Sequence, residues 1–294
     1  MFFALLTAIF WTGGSYSGSK VARKTDGPTA NGVRLLLSLL FWTAVVGLVP
    51  GLPWPLLYGG CCFMIAGFFH QALGDNCLYI SYQKIGPRMG ILFCMTSSVL
   101  GALLLERFII GGWPSLGQML GMTTILLGAT LALAPQERLD LGREALKIGV
   151  PVAILGGLLQ ALGAVTARWG YSLSELPNAL EASVVPTFLR GVGSVVGLLL
   201  IGRFPLGKWL KKVAKEGRLA PLIIFSTLMG PILGVFCYQV ALQSHNSAVV
   251  QSVICTLPLL MVPVTWIFEG DRPSGRSFLG VLVAVGGMAI LLNV

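Results

Sequence analysis

The sequence predicts an all-α integral membrane protein of ten transmembrane helices, arranged as two inverted repeats of five helices. Two observations lead to this fold class. Ten apolar stretches fill nearly all of the 294 residues, and each approaches the length of about 20 residues that crosses a bilayer. The last two stretches of the first half also recur in the second half. We therefore predict a first repeat over residues 1–137 and a second repeat over residues 138–294.

In its clearest region the internal repeat aligns with its copy without a gap. Shifting the chain by 163 positions places Ser81 on Ser244 and Glu106 on Glu269. In both copies an apolar run ends in a glutamate, and a run that contains glycine follows. A repeat of five spans, an odd number, must enter the membrane in the opposite orientation from its copy. Inverted repeats of this kind are typical of transporters.

The composition excludes a soluble multidomain enzyme. Hydrophobic residues make up 55% of the chain and charged residues 11%, and the mean hydropathy is +0.84, whereas soluble domains carry about 25% charged residues. The net charge of +9 raises the question of a nucleic-acid partner. Because the basic residues flank apolar spans, they indicate membrane topology instead, and we expect no nucleic-acid binding.

The predicted spans are continuous apolar runs, so their backbone groups must be satisfied within each segment, as only helices allow. The first run has no basic region ahead of it and no cleavage signature, and Lys20, Arg23 and Lys24 follow it, which is typical of a retained span and not of a signal peptide. The predicted bounds are 2–22, 29–49, 55–82, 89–106, 115–134, 148–167, 179–201, 220–243, 248–268 and 277–293.

Lysine and arginine residues predict the orientation. The connections after the odd-numbered spans carry sixteen of them, whereas the opposite side carries Arg107 and Arg168. Positive charge is retained on the cytoplasmic side, so we expect both termini outside, in a bacterial inner membrane with lipids as partners. The basic stretch 203–218 has two interpretations, a solvated retention signal or a segment lying on the inner membrane surface.

The whole pattern resembles the drug/metabolite transporter superfamily, in particular its ten-span EamA-type members. Three paired features carry the resemblance: an arginine early in the second span, a polar segment between the third and fourth spans, and a glutamate that closes the fourth. In this sequence they are Arg34 and Arg190, residues 82–88 and 245–251, and Glu106 and Glu269. The resemblance implies a secondary carrier that exports or exchanges small polar metabolites such as amino acids, with sugars or sugar phosphates as the alternative substrates.

Asp75 is the candidate residue with the clearest physical argument. It precedes Lys84 by nine positions and therefore lies about 13 Å into the third helix. Ionisable side chains within spans usually face a cavity or a partner and mark a substrate or proton path. Three interpretations are open: contact with substrate or proton, an ion pair with Lys20, or an edge position in solvent. Gln71, one turn earlier, shares the face of Asp75, and His70 is either packing or functional.

Further candidates come from the repeat and from neighbouring spans. The offset of 163 places Tyr238 and Gln239 opposite Asp75 and Asn76, near the axis where inverted-repeat carriers bind their ligands. Polar residues of the first and sixth spans complete the predicted substrate site. They are Trp11, Ser15, Tyr16 and Gln160.

The paired arginines and glutamates have structural and functional interpretations. Arg34 and Arg190 lie too deep for ordinary topology markers, so they either bind a substrate carboxylate or phosphate or have a structural role near a gate. Glu106 and Glu269 lie at predicted membrane edges, where they would orient the turns to the next helices. We expect no catalytic residue, cofactor, metal or disulfide, because the six cysteines lie in apolar runs without metal-ligand spacing.

A secondary carrier is the leading interpretation, with a small-molecule substrate and protons as a candidate coupling ion. An ATP-driven pump would need a glycine-rich phosphate loop followed by Lys and Ser or Thr, and the chain has none. A membrane enzyme would need a cluster of acids and histidines. A channel or a membrane receptor is the alternative of another class, and either a monomer or a homodimer is compatible with the sequence.

Overall fold

The computed structural model describes residues 1–133, 142–201, 207, 211, 217, 219–270 and 274–293, apart from the side chains of residues 133, 265 and 269. These residues form helices and no strand. The helices of the first half are α1 Phe2–Lys24, α2 Gly27–Leu48, α3 Leu57–Gly67, a π-helix Phe68–Gly74, α4 Asp75–Ile109 and α5 Leu116–Leu133. Those of the second half are α6 Arg143–Ser172, α7 Val184–Ile201, α8 Leu219–Thr227, a second π-helix Leu228–Gly234, α9 Val235–Ser244, α10 Ser247–Ile254, α11 Leu257–Glu269 and α12 Gly275–Leu292.

Several helices begin at residues that satisfy their free amide groups. Asp26 precedes α2 and accepts a 2.7 Å hydrogen bond from the Thr29 amide. Asn246 precedes α10, and its side chain accepts from the Ala248 amide at 2.9 Å. Such caps stabilise a helix by about 1 kcal/mol each. The short polar connections therefore stop one helix and start the next.

The apolar lengths identify helices that can cross a membrane. Seven helical stretches of the described chain are long and apolar enough: Gly27–Leu48, Leu57–Ile109, Arg143–Ser172, Glu181–Ile201, Leu219–Ser244, Ser247–Phe268 and Gly275–Leu292. Two further predicted spans fall outside this set. Helix α1 contains buried serine and threonine residues that lower its hydropathy, and the apolar helix Leu116–Ala132 is short.

The stretch Leu57–Ile109 has 53 residues, which corresponds to about 80 Å of straight helix. The hydrocarbon core of a bilayer is only about 30 Å thick. The stretch is broken at Gly86, whose φ of 77° is outside the helical range, and Pro87 lacks an amide hydrogen for the helical ladder. The break falls in the polar segment between the predicted third and fourth spans.

Several connections gather at one end of the bundle, which we call the Glu106 end. The Ser244 hydroxyl bonds the Asn178 side chain at 3.1 Å, and Arg168 donates to the backbone oxygen of His245. Glu106 forms an ion pair with Arg168. The chain therefore returns to this end after α4, after α6 and after α9.

The opposite end is called the Gln83 end. The Gln83 side chain donates to the backbone oxygen of Ala22 at 3.0 Å, which joins the end of α1 to the region just before Gly86. The first turns of α6 lie here too, because a Cβ atom built on Gly149 would be 3.1 Å from the Cβ of Lys84. The connections after α1, before Gly86 and before α6 thus share this end.

The two π-helices correct the predicted correspondence between the halves. Each has seven residues, and Phe68–Gly74 and Leu228–Gly234 are 160 positions apart. Gly86 and Asn246, which precede the next helices, are also 160 apart. Asp75 therefore corresponds to Val235. The offset of 163 was wrong for this region because a match of residue types cannot locate backbone landmarks such as a π-helix.

Glycines allow helices α5 and α12 to pack closely. A Cβ atom built on Gly128 would lie 2.5 Å from the backbone nitrogen of Ala284, and one on Gly287 would lie 2.7 Å from the backbone nitrogen of Ile125. Small residues that bring backbones together are typical of contacts between membrane helices. Any larger side chain at these positions has to push the two helices apart.

We predict that Gly287→Val destabilises the protein by about 1–3 kcal/mol, the usual cost of overpacking. Gly286→Val is the matched control, because a Cβ atom at Gly286 has no neighbour within 4 Å. Both substitutions change the intrinsic helix propensity equally, so their difference isolates the contact. The unfolding midpoints of the two purified variants measure it. Equal midpoints would contradict the predicted close packing.

Candidate functional site

A cavity lined by both polar and apolar residues lies between the two halves of the chain. Its volume is about 40 Å³, enough for about three waters. A metabolite therefore needs a wider conformation. Six of the residues predicted for the site line this cavity: Trp11, Ser15, His70, Gln71, Asp75 and Gln160.

The cavity extends toward the Gln83 end. Two of its lining residues, Tyr82 and Ile91, lie only four and five positions from the break at Gly86. Its other end is closed by aromatic rings. The Trp11, His70 and Tyr238 ring centroids lie 5.3 to 5.7 Å from one another, and His70 and Tyr238 are buried.

Asp75 lies on the cavity and not at a helix edge in solvent. Its Oδ1 accepts a 2.9 Å hydrogen bond from Gln160 Nε2 of the other half. The close approach of these helices requires Gly74, because a Cβ atom there would lie 2.8 Å from Gln160 Cγ. The contact therefore joins the two halves at Asp75. Among the described residues that line the cavity, Asp75 carries the only carboxylate.

The π-helix explains why His70 also faces the cavity. The Asp75 amide donates to the His70 backbone oxygen, a hydrogen bond across five residues. In a π-helix this spacing brings the two residues to the same face, whereas an α-helix would separate them. Both His70 and Gln71 consequently lie beside Asp75 on the cavity.

The ion pair with Lys20, one of the three interpretations of Asp75, is not formed in the structure. Lys20 Nζ donates to the Tyr16 hydroxyl at 2.5 Å and lies 4.1 Å from the centroid of that ring. Lys20 is four residues from the end of α1, whereas Asp75 is eleven residues from Gly86. At 1.5 Å per residue the two lie about 6 and 16 Å from the Gln83 end, too far apart along the bundle to pair.

Four predicted site residues do not line the cavity. Tyr16 bonds Lys20 as described, and Tyr238 lies behind Trp11 and His70. Asn76 accepts a 3.0 Å hydrogen bond from Asn31, which also donates to the Gln71 backbone oxygen. Gln239 accepts from Arg190 at 3.0 Å. These residues hold the helices around the site.

The cavity wall includes residues that the sequence argument left out. Tyr79 and Tyr82 line it, and Tyr79 lies one helical turn after Asp75, a spacing that could have identified it. Arg34, assigned a structural or gating role, also lines the cavity and donates to the Tyr79 hydroxyl. The cavity therefore contains a guanidinium as well as a carboxylate.

The Glu106 end is closed by a buried ion pair between the halves. Glu106 is 0% exposed, and its Oε1 lies 2.6 Å from Arg168 Nε. Its Oε2 accepts from the Ser247 amide at 3.1 Å and from the Ser247 hydroxyl. Glu106 thus links α4 to α6 and α10 and does more than orient a turn. The side chain of Glu269 lies outside the described residues.

His245 adds no charge to this closed end. Burial lowers the pKa of His245, and the nearby positive charges of the amino terminus and Arg168 lower it further. The imidazole is therefore neutral at pH 7. Across the residues that the structure describes, no three His, Cys, Asp or Glu residues come together to hold a metal.

Comparisons with known proteins agree with the architecture. A solved structure titled "Crystal structure of protein" superposes on 98% of this chain and 94% of its own chain, with a TM-score of 0.69 and 14% identity, and so supports the fold alone. A search of curated protein sequences returned no match.

The EamA-like transporter family matches residues 1–134 and 147–293, nearly the whole chain. This is a family of membrane transporters, which agrees with the apolar helices and implies that the chain is an integral membrane protein and a transporter rather than an enzyme. The chain belongs to the EamA-like transporter family, part of the drug/metabolite transporter superfamily.

Proposed function

We propose that the protein is a secondary carrier of a small polar metabolite such as an amino acid, and that it binds this solute at Asp75. One observation carries the proposal: a carboxylate lies on a cavity between the two halves, deep within apolar helices, and bonds Gln160 of the other half. Ionisable groups are costly inside a membrane, so such a position is typical of a transport path.

The proposal includes ten transmembrane helices in two inverted repeats. Dividing Leu57–Ile109 at Gly86 raises the seven long apolar stretches to eight, and α1 and α5 bring the number to ten. Five helices in each half give the halves opposite orientations. The gap in the family match, residues 135–146, contains the proposed boundary between residues 137 and 138.

Closure at one end supports alternating access. The cavity extends toward the Gln83 end, whereas Glu106 and Arg168 close the other end. Transport then requires the ion pair to separate while the Gln83 end closes. The residues proposed to contact the solute are those that line the cavity around Asp75, with Trp11 as an apolar wall.

A thermal-shift screen of the purified protein against a metabolite library tests this proposal, because a ligand of the native state raises the unfolding temperature. We expect at least one amino acid or sugar to do so. The hit is then used for counterflow in proteoliposomes. Transient accumulation of labelled solute against unlabelled internal solute indicates a carrier. A channel would let the label equilibrate without overshoot, and a receptor would bind without flux.

We predict that both termini face away from the cytoplasm of a bacterial cell. Sixteen lysines and arginines lie on the side opposite the termini, whereas two lie on the side of the termini, and positive charge is retained on the cytoplasmic side. Most of the basic stretch 203–218 lies outside the described residues, so the prediction rests on sequence. A reporter that is active only in the cytoplasm should be inactive when fused to either terminus. Activity at both termini would reverse the orientation and with it the expected direction of transport.

A further inference from the structure

Each half of the chain contains one deep arginine in an equivalent setting. The Arg34 guanidinium carbon lies 5.1 Å from the Tyr79 ring centroid, and that of Arg190 lies 5.3 Å from the Tyr238 ring centroid. Arg34 Nη1 donates to the Tyr79 hydroxyl, and Arg190 Nη1 donates to Gln239 Oε1. Tyr79 and Gln239 are 160 positions apart, the separation of the two π-helices.

The two arginines differ in what surrounds them. Arg34 lines the cavity. Arg190 is 0% exposed, and its Nε and Nη2 find no hydrogen-bond partner in the described chain. Within those same residues no carboxylate lies within 4 Å of either guanidinium. A guanidinium is always charged, and burying a charge without an opposite charge and with hydrogen-bond donors unused is costly. A purely structural role leaves this cost unexplained.

The two arginines lie at similar depths from opposite ends. The span of α2 starts at the Gln83 end, and Arg34 is seven residues from its start at Gly27. The span of α7 starts at the Glu106 end, and Arg190 is nine residues from its start at Glu181. Each guanidinium therefore lies about 10 to 14 Å inside its own end. A cavity that opened at the Glu106 end would meet Arg190 where the present cavity meets Arg34.

We propose that Arg34 and Arg190 bind the carboxylate of the transported solute in turn, Arg34 while the cavity faces the Gln83 end and Arg190 once it faces the Glu106 end. This inference rests on the proposed carrier function. A guanidinium fork matches a carboxylate in two parallel hydrogen bonds. Asp75 on the same cavity disfavours a doubly charged phosphate and favours a solute that also carries a positive group.

The test uses the unaltered full chain in sealed membrane vesicles, so that it does not depend on a variant folding. The probe is p-hydroxyphenylglyoxal, an arginine reagent that does not cross membranes, added from one side at a time. Mass spectrometry of peptides reads each arginine separately. Arg23 and Arg107 are the controls, because both are exposed and each marks one end.

We expect Arg34 to be modified only from the side that modifies Arg23, and Arg190 only from the side that modifies Arg107. Sodium acetate, compared with sodium chloride at equal ionic strength, should slow modification of both deep arginines at least threefold and leave the two controls unchanged. Modification of both deep arginines from one side, no modification of Arg190, or no protection by acetate would overturn the inference.

Counterflow in the same vesicles separates the two proposals. If counterflow occurs but Arg190 stays unmodified, the carrier function stands and the alternation of arginines is wrong. If the two arginines are modified from opposite sides but no screened solute shows counterflow, the alternating exposure of the two arginines stands, whereas the carrier function and the binding of a transported solute are contradicted. Arg190→Lys, which keeps the charge, should retain more transport than Arg190→Gln, whereas a role in packing alone would lower both equally.

Discussion

Asp75→Asn is expected to lower concentrative uptake in proteoliposomes about 100-fold. The bound solute would lose its charged partner in a buried site, which costs about 3 kcal/mol. Asparagine keeps the volume of the side chain and can still bond Gln160, so the fold should survive. The unfolding midpoint should be unchanged or higher, since a costly charge leaves the membrane interior. Uptake under an imposed pH gradient and thermal unfolding of the same preparation measure the two effects.

Lys20→Met is the informative companion variant. Lys20 bonds Tyr16 and not Asp75, so its loss should change stability by less than about 1 kcal/mol. For the same reason, adding Lys20→Met to Asp75→Asn should restore nothing. Recovery of transport in the double variant would support the interpretation that Asp75 and Lys20 form an ion pair. Full transport by Asp75→Asn alone would remove Asp75 from the mechanism and move the site toward Gln160.

Glu106→Gln is expected to destabilise the protein by about 3 kcal/mol, because it removes one partner of a buried ion pair and leaves the Arg168 charge uncompensated. Arg168 is 27% exposed on its side chain, which keeps the expected loss at the lower end for such pairs. The substitution should also open the Glu106 end and let solute leak without coupling. The unfolding free energy and the passive efflux from loaded proteoliposomes measure these effects.

The control for this variant is Glu144→Gln. Glu144 pairs with Lys147 at 3.4 Å, but the two side chains are 83% and 68% exposed. An exposed pair contributes at most a few tenths of a kcal/mol, so stability and efflux should remain those of the unaltered protein. If Glu106→Gln behaved like this control, the buried pair would not be what closes that end.

Particular residues show how far sequence reasoning reached into the site. Asp75, Gln71, Gln160, Trp11, Ser15 and His70 were selected because polar groups in apolar spans need a partner or a cavity, and the structure places them on one cavity. Tyr79 was missed, although it lies one helical turn after Asp75. The sequence left open whether Arg34 binds substrate or has a structural role, because apolar runs that are hydrophobic all round do not record which face of a helix meets its neighbours.

The all-helical membrane architecture was determined by the sequence itself, because long apolar runs in a bilayer must satisfy their backbone hydrogen bonds internally. Only the tertiary structure decided the partners of the buried charges. Gln160 and not Lys20 bonds Asp75, and Arg168 pairs with Glu106. These contacts join residues far apart in the chain, so they depend on the depth and rotation of each helix. The π-helices change that rotation for every residue that follows, and composition and periodicity carry no record of it.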